Sequence, residues 1–124
     1  MLRTFEYQKV PVVDIVNEIL VDASKRGASD IHFDPYEEYL LVRIRIDGDL
    51  VDYAYVPNAF KKNMTTRIKI ISGMNITESR LPQDGAIKTE LEGKPLDMRV
   101  SALPIVDGEK VVIRILDYST QGVF

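Results

Sequence analysis

Residues 39–56 read YLLVRIRIDGDLVDYAYV, two strand-like runs on either side of an Asp-Gly pair. From Leu40 to Ile46 apolar side chains recur at every second position, which is the period of a strand with one buried face. Asp47-Gly48 follows, and both residue types accept the left-handed backbone angles of a two-residue hairpin turn. Residues 39–46 are therefore predicted as one strand, and residues 50–56 return as its partner. The stretch therefore predicts an antiparallel β-hairpin.

Two amphipathic segments and four further strands surround this hairpin. Pro11 suits the first turn of a helix, and an apolar stripe runs from there to Gly27, which suits a C-terminal cap. A second helix is predicted from Pro57 to Gly73. The further strands are predicted at residues 30–34, 86–91, 96–103 and 110–116. The sum is an α+β domain, a mostly antiparallel sheet with two helices packed on one face.

Composition excludes several classes of protein. The chain has 124 residues, the length of one domain, with a net charge of −3 and no cysteine. The acidic balance argues against binding of nucleic acid, and the lack of cysteine excludes disulfides and thiolate metal sites. No apolar run approaches the roughly 20 residues of a membrane span, and the N-terminus lacks the apolar core of a signal peptide. We therefore expect a cytoplasmic protein with no direct membrane insertion.

Between the second helix and the next strand lies Arg80-Leu81-Pro82-Gln83-Asp84-Gly85. We expect a polar, turn-forming loop, because proline fixes one backbone angle and Asp-Gly supplies a residue that accepts positive φ. A phosphate-binding P-loop would need a glycine-rich turn that ends in Gly-Lys-Ser/Thr. The one Gly-Lys pair of this chain is Gly93-Lys94, which Pro95 follows. This chain should therefore not hydrolyse ATP by itself.

The loop is the third of five short motifs that follow one another along the chain. They are Gly27-Ala28-Ser29-Asp30-Ile31-His32, Arg45-Ile46-Asp47-Gly48, the loop itself, Asp97-Met98-Arg99-Val100-Ser101 and Gly108-Glu109-Lys110. In order and spacing, residues 10–117 resemble the traffic ATPases of type II secretion and type IV pilus assembly, in the region just before their nucleotide-binding domain. This chain departs from them at Ala86, where most of those relatives carry a further basic residue.

The resemblance implies a division of the chain and a set of partners. Residues 1–9 would be an N-terminal arm or linker, residues 10–117 a second N-terminal domain with a PAS-like fold, and residues 118–124 the start of a linker to a RecA-like motor. The longer protein would be a hexameric ATPase that uses ATP and Mg, while this part would need no cofactor of its own. Its partners would be the motor domains of the same and neighbouring subunits and an inner-membrane platform protein, at the inner face of the membrane. A free-standing PAS-like sensory or interaction module, with a small-molecule pocket between helix and sheet, is the alternative.

Arginines are the candidate site residues. Arg43, Arg45, Arg99 and Arg114 fall on the non-core faces of predicted strands, and Arg80 lies in the loop. The guanidinium is a planar fork of donors that stays charged, and this geometry suits phosphate. From residue types alone, a solvated strand face with cross-strand ion pairs is favoured. The resemblance instead implies that Arg80 and Arg99 face nucleotide phosphate, and it leaves both interpretations open for the other three.

The single histidine, His32, gives little chemistry by itself. One histidine needs several placed partners to bind a metal, and we expect Asp30 and Asp34 to alternate away from it along the strand. We therefore predict no metal site, no catalytic residue in this chain, and a local hydrogen bond for His32.

Overall fold

The computed structural model describes residues 2–91 and 93–117. It contains two helices, α1 (Val12–Lys25) and α2 (Asn58–Ile71), and six strands, β1 (Asp30–Pro35), β2 (Tyr39–Ile46), β3 (Asp49–Pro57), β4 (Gln83–Leu91), β5 (Lys94–Ile105) and β6 (Gly108–Asp117). Every predicted helix and strand is present, and the strands other than β2 extend one to three residues beyond their predicted bounds. Neither helix is long and apolar enough to cross a membrane, a finding that covers the described residues only.

The six strands form one sheet in the order β3-β2-β1-β6-β5-β4. Each half is a three-stranded meander, and the two halves join where β1 pairs with β6, with Ile31 opposite Ile113. All five pairings of these strands are antiparallel, which confirms the α+β class. The PAS-like description stays a prediction.

The core lies between one sheet face and the two helices. The buried stripe of α1 consists of Ile15, Val16, Ile19, Leu20 and Ala23. Phe33 of β1 and Val111 of β6 are fully buried in the same apolar cluster. Burying each such large side chain stabilises the fold by about 1.5–3 kcal/mol relative to exposure. The opposite sheet face, which we call the open face, therefore receives the alternate side chains of every strand.

The first hairpin has the predicted turn. Asp47 has a φ of 52° and Gly48 a φ of 85°, so both central residues are left-handed. This is the combination that matches the twist of the flanking strands.

The segment before α1 packs against the domain. The backbone N–H of Arg3 donates to the carbonyl of Tyr53 at 2.7 Å, which adds a short bridge to the edge of β3. The Tyr7 ring stacks on Phe60 with 5.6 Å between the ring centroids. Arg3 and Tyr7 of the segment before α1 therefore contact β3 and α2, and the description of residues 1–9 as an arm or linker stays a prediction.

The loop that contains Gly85 is shorter than predicted, because β4 already begins at Gln83. Gly85 lies within the strand and has no positive φ. A Cβ at this position would instead lie 2.3 Å from the carbonyl oxygen of Ser72, and Ala86 N–H donates to that same oxygen at 3.2 Å. The explanation by positive φ is therefore wrong. Glycine is required because the end of α2 approaches the strand backbone closely.

Candidate functional site

Three of the candidate arginines lie in one row on the open face. The strand register places Arg45 of β2 opposite Asp30 of β1. Asp30 lies opposite Arg114 of β6, and Arg114 lies opposite Arg99 of β5. We call Arg45, Arg114 and Arg99 the arginine row, which ends at Ala86 of the edge strand β4. The prediction that these arginines avoid the core is confirmed.

Two members of the arginine row have acidic neighbours. Arg45 Nε lies 3.3 Å from Asp30 Oδ2, and its Nη1 donates to the carbonyl of Gly48 at 3.0 Å. Arg99 Nη2 lies 2.9 Å from Asp97 Oδ2. The Arg99 side chain is 57% exposed, whereas that of Asp97 is 1% exposed. Arg99 thus keeps part of its guanidinium free for a further anion.

Arg114 is the least neutralised member of the row. It is exposed, and among the described residues it has no ion-pair or hydrogen-bond partner. Its neighbour Asp30 is already occupied by Arg45 and by His32. The region between Arg114 and Arg99 is therefore positively charged.

A cavity of about 440 Å³ lies on the open face beside these two arginines. Its lining residues include Ser101, whose hydroxyl can donate a hydrogen bond, and Asp84, whose negative charge repels anions. Two forked cations beside a hydroxyl can hold a phosphate group, and Asp84 would restrict how far the anion extends toward β4.

Arg43 lies two residues before Arg45 on the same face of β2, and two carboxylates lie near its guanidinium. Its Nε lies 3.6 Å from Asp52 Oδ1 and 3.8 Å from Asp34 Oδ2, and its Nη2 donates to the Tyr36 hydroxyl at 2.8 Å. Even fully exposed ion pairs contribute up to about 1 kcal/mol, and here both distances are long for a direct contact. The geometry therefore favours the solvated strand face for Arg43.

His32 makes the expected local hydrogen bond, with Nε2 at 2.5 Å from Asp30 Oδ2. The expectation that Asp30 points away from it is wrong, because residues two apart in a strand share a face. Burial of Asp30 would raise its pKa, but hydrogen bonds with Ser29, His32 and Arg45 outweigh this and hold the pKa below its usual value. Among residues 2–91 and 93–117, no group of three metal-ligating side chains could hold a metal ion.

Arg80 lies outside the arginine row, in the turn between α2 and β4. Its backbone N–H donates to Glu78 Oε2 at 2.7 Å, and its side chain is exposed. The Gln83 side chain spans this turn. Gln83 Oε1 accepts from Asn75 N–H at 2.9 Å, and its Nε2 donates to the carbonyls of Asn75 and Glu78, both at 3.0 Å. The structure thus assembles Arg45, Arg99 and Arg114 and presents Arg80 separately.

A buried ion pair supports the same turn, and the sequence reasoning missed it. The Lys69 side chain on α2 is 2% exposed and that of Glu109 on β6 is 11% exposed. Lys69 Nζ donates to both Glu109 carboxylate oxygens, at 2.9 and 3.1 Å, and to the carbonyl of Glu78 at 2.6 Å. The available signal was the Gly108-Glu109-Lys110 motif, which has a glutamate at the start of a strand.

A second charged cluster fixes the N-terminal segment to α1. Asp22 accepts from the Tyr53 hydroxyl at 2.6 Å and from Arg3 Nη1 at 3.0 Å, and it lies 3.2 Å from Arg26 Nε. Burial of Asp22 would raise its pKa, but the Tyr53 hydrogen bond and the two positive charges hold it below its usual value. This cluster is structural, because it ties three chain segments together.

On the helix side of the sheet, a cleft of about 460 Å³ separates α1 from β4 and β5. Its apolar lining includes Leu20, Ile87 and Met98, and Lys88 and Glu90 also line it. This is where the alternative of a sensory module would place a small molecule.

The sequence of the chain matches one family model and several known proteins. The family described as "Type II/IV secretion system protein" matches residues 6–123. The chain is similar to the type IV pilus assembly ATPase PilB of Myxococcus xanthus (strain DK1622), with 50% identity over 110 residues, which is 88% of this chain and 19% of that protein. It is 46% identical over 116 residues to PilB of Pseudomonas aeruginosa, covering 93% of this chain and 20% of that protein.

The type II secretion branch is similar to the same extent. The chain is 46% identical over 112 residues to type II secretion system protein E of Xanthomonas campestris pv. campestris, covering 90% of this chain and 20% of that protein. The chain therefore spans about a fifth of the length of these relatives.

Proposed function

Because this chain belongs to the type II/IV secretion system protein family, we propose that it is an accessory domain of a longer ATPase that powers type II secretion or type IV pilus assembly. Residues 10–117 would form the second N-terminal domain, preceded by an arm and followed, from residue 118, by a linker to a RecA-like motor. ATP and Mg would bind in that motor, since this chain has no P-loop sequence.

The domain would direct arginines toward the nucleotide held by the motor. The observation that carries this proposal is the pair of Arg99 and Arg114 beside one cavity, with Arg114 lacking an acidic partner among the described residues. Nucleotide phosphate would supply the missing anion. Charge that develops on the transferring phosphoryl group is what such arginines stabilise, so their effect would be largest in the transition state.

Arg80 and Arg45 would have different parts in this arrangement. Arg80 would reach the nucleotide from the turn at the start of β4. Arg45 is held by Asp30 and by the carbonyl of Gly48, so its contribution would be to keep the Asp30 charge away from Arg114. Of the four candidate arginines, Arg99 and Arg114 would therefore contribute most at the nucleotide.

The single core supports a mechanical role for the domain. A domain with one packed sheet moves as a rigid body, so its rotation against the motor would bring the arginines to the phosphates and take them away again. Its partners would be the motor domains of its own and the neighbouring subunit in a hexamer, and an inner-membrane platform protein. The domain would thus lie at the cytoplasmic face of the membrane through its partners.

A free-standing sensory or interaction module is the second candidate, and the cleft of about 460 Å³ between α1 and the sheet favours it. The gene that encodes this chain separates the two. We expect its reading frame to continue past Phe124 into a Gly-x-x-x-x-Gly-Lys-Ser/Thr motif, and the full-length product to hydrolyse ATP. A frame that ends within a few codons would contradict the accessory-domain proposal and favour the module.

A further inference from the structure

We infer that Lys69, Glu109 and Gln83 are positioning residues that fix the turn that carries Arg80, an inference that rests on the proposed role of Arg80 at the nucleotide. None of the three touches the open face cavity. They act from three different elements, α2, β6 and β4, on one turn between residues 75 and 80.

The Lys69–Glu109 pair is buried at a cost. Each charge leaves water, and the attraction between them offsets this only when the remaining donors are also used. Here the Lys69 ammonium donates to both carboxylate oxygens of Glu109 and to the carbonyl of Glu78. Because apolar residues often replace such pairs without loss of stability, stability alone does not explain the pair. What it specifies is the place of the Glu78 carbonyl relative to α2 and β6.

The Glu78 carbonyl is the point where the two supports meet. It accepts from Lys69 Nζ at 2.6 Å and from Gln83 Nε2 at 3.0 Å. Gln83 also exchanges two hydrogen bonds with the backbone of Asn75, at 2.9 and 3.0 Å. Both ends of the turn are therefore fixed, and the Glu78 carboxylate in turn accepts the backbone N–H of Arg80 at 2.7 Å.

A fixed backbone matters for an arginine that must meet a phosphate. A displacement of about 1 Å from the productive geometry can lower a rate by roughly a hundredfold. Arg80 has an exposed side chain, so within the described chain its place is set chiefly by the backbone beneath it. Loosening the turn should thus lower the rate in the same way as removing the Arg80 side chain.

Amide hydrogen exchange on this chain tests whether the three residues fix the turn. Gln83→Met removes three hydrogen bonds at nearly constant length, and Lys69→Met with Glu109→Gln removes the ion pair without leaving one charge buried alone. Exchange at Thr77, Glu78 and Arg80 should rise roughly tenfold in both, while the amides of β1 and β2 keep their parental rates. Lys61→Met is the matched control, since Lys61 is also on α2 but donates to the Tyr36 carbonyl, at 2.6 Å. Parental exchange in the turn of both variants would overturn the inference.

ATP hydrolysis by the full-length protein tests whether the fixed turn positions Arg80 for catalysis. Gln83→Met should lower kcat by about as much as Arg80→Ala with KM within a factor of about two, and the double variant should be no slower than Arg80→Ala alone. Lys69→Arg should retain most of the parental kcat. Multiplied losses in the double variant would overturn the positioning role. A parental rate for Arg80→Ala would contradict the proposed function of Arg80, and the exchange rates distinguish that failure from a failure of the positioning network.

Discussion

Arg99 and Arg114 lie directly opposite each other in the pairing of β5 with β6. Like charges at such a position destabilise a sheet unless a counter-charge is present. Asp97 supplies one to Arg99, whereas Asp30, which lies opposite Arg114 in β1, pairs with Arg45 and His32 and makes no ion pair with Arg114. An anion bound beside the pair would therefore gain two guanidinium contacts and relieve a repulsion already built into the sheet.

The 124-residue chain by itself should bind MgATP weakly or not at all and should not hydrolyse it. It has no P-loop to hold the phosphates, and two arginines on an open surface do not replace one. Calorimetric titration with MgATP checks this. A micromolar dissociation constant would contradict the accessory role and would favour an independent nucleotide-binding module.

Gly85→Ala should destabilise the domain by about 1–3 kcal/mol, because the new Cβ would overlap the Ser72 carbonyl oxygen. Urea denaturation measures the free energy of unfolding. Gly48→Ala is the useful control, since a Cβ there meets no atom within 4 Å and only the positive φ of 85° opposes it. Its effect should stay near 1 kcal/mol. A parental unfolding free energy for Gly85→Ala would mean that α2 does not approach β4 this closely.

The local sequence pattern was enough to predict the helices and strands. It did not predict the contacts between segments that are distant along the chain. The period of residues 39–46 and the Asp-Gly turn fixed the first hairpin, because both signals act over a few residues. Strand alternation likewise placed Arg45, Arg99 and Arg114 away from the core. Their alignment in one row depends on the pairing of β1 with β6, which are about 80 residues apart along the chain, and no local signal encodes that register.

The features that were predicted wrongly or not predicted at all have the same physical origin. Gly85 is a glycine because Ser72, from another element, lies against it, whereas its own neighbours suggested a turn. Lys69 is buried although its residue type favours the surface, since its partner Glu109 is 40 positions away.

Stability should fall as the pH is lowered below about 4. The pKa values of Asp22 and Asp30 are lowered in the folded state, so their ionised forms stabilise the fold above the unfolded-state pKa, near 3.8. That contribution is lost as the pH falls through the lower folded-state values. Urea denaturation between pH 7 and pH 2 should show this decline, and Asp22→Asn should reduce its slope.

The control for this titration is Glu38→Gln, at an exposed carboxylate in the β1–β2 turn. It should leave the slope as in the parent. Stability that stays flat or increases toward pH 2 would contradict the assigned hydrogen bonds of Asp22 and Asp30.

In the full-length protein, Arg80→Ala should lower kcat for ATP hydrolysis more than it weakens ATP binding. A side chain that meets the phosphates chiefly in the closed state acts on the transition state. Arg80→Lys should restore only part of the rate, because an ammonium cannot reproduce the bidentate fork. Steady-state kinetics and nucleotide titration on both variants check this, and full rescue by lysine would exclude a bidentate contact.

Turnover of the full-length ATPase tests whether the Arg99–Arg114 pair faces nucleotide phosphate. Arg99→Ala and Arg114→Ala are compared with Arg43→Ala, an arginine on the same open face whose charge is balanced by Asp34 and Asp52. We expect a roughly ten- to hundredfold lower kcat per folded molecule for the first two, less than the 10³-fold or more of a single arginine finger because several arginines share the work. Arg43→Ala should lower the melting temperature and keep the parental kcat. If all three variants hydrolyse ATP at the parental rate, the arginine row is only a solvated face of the sheet.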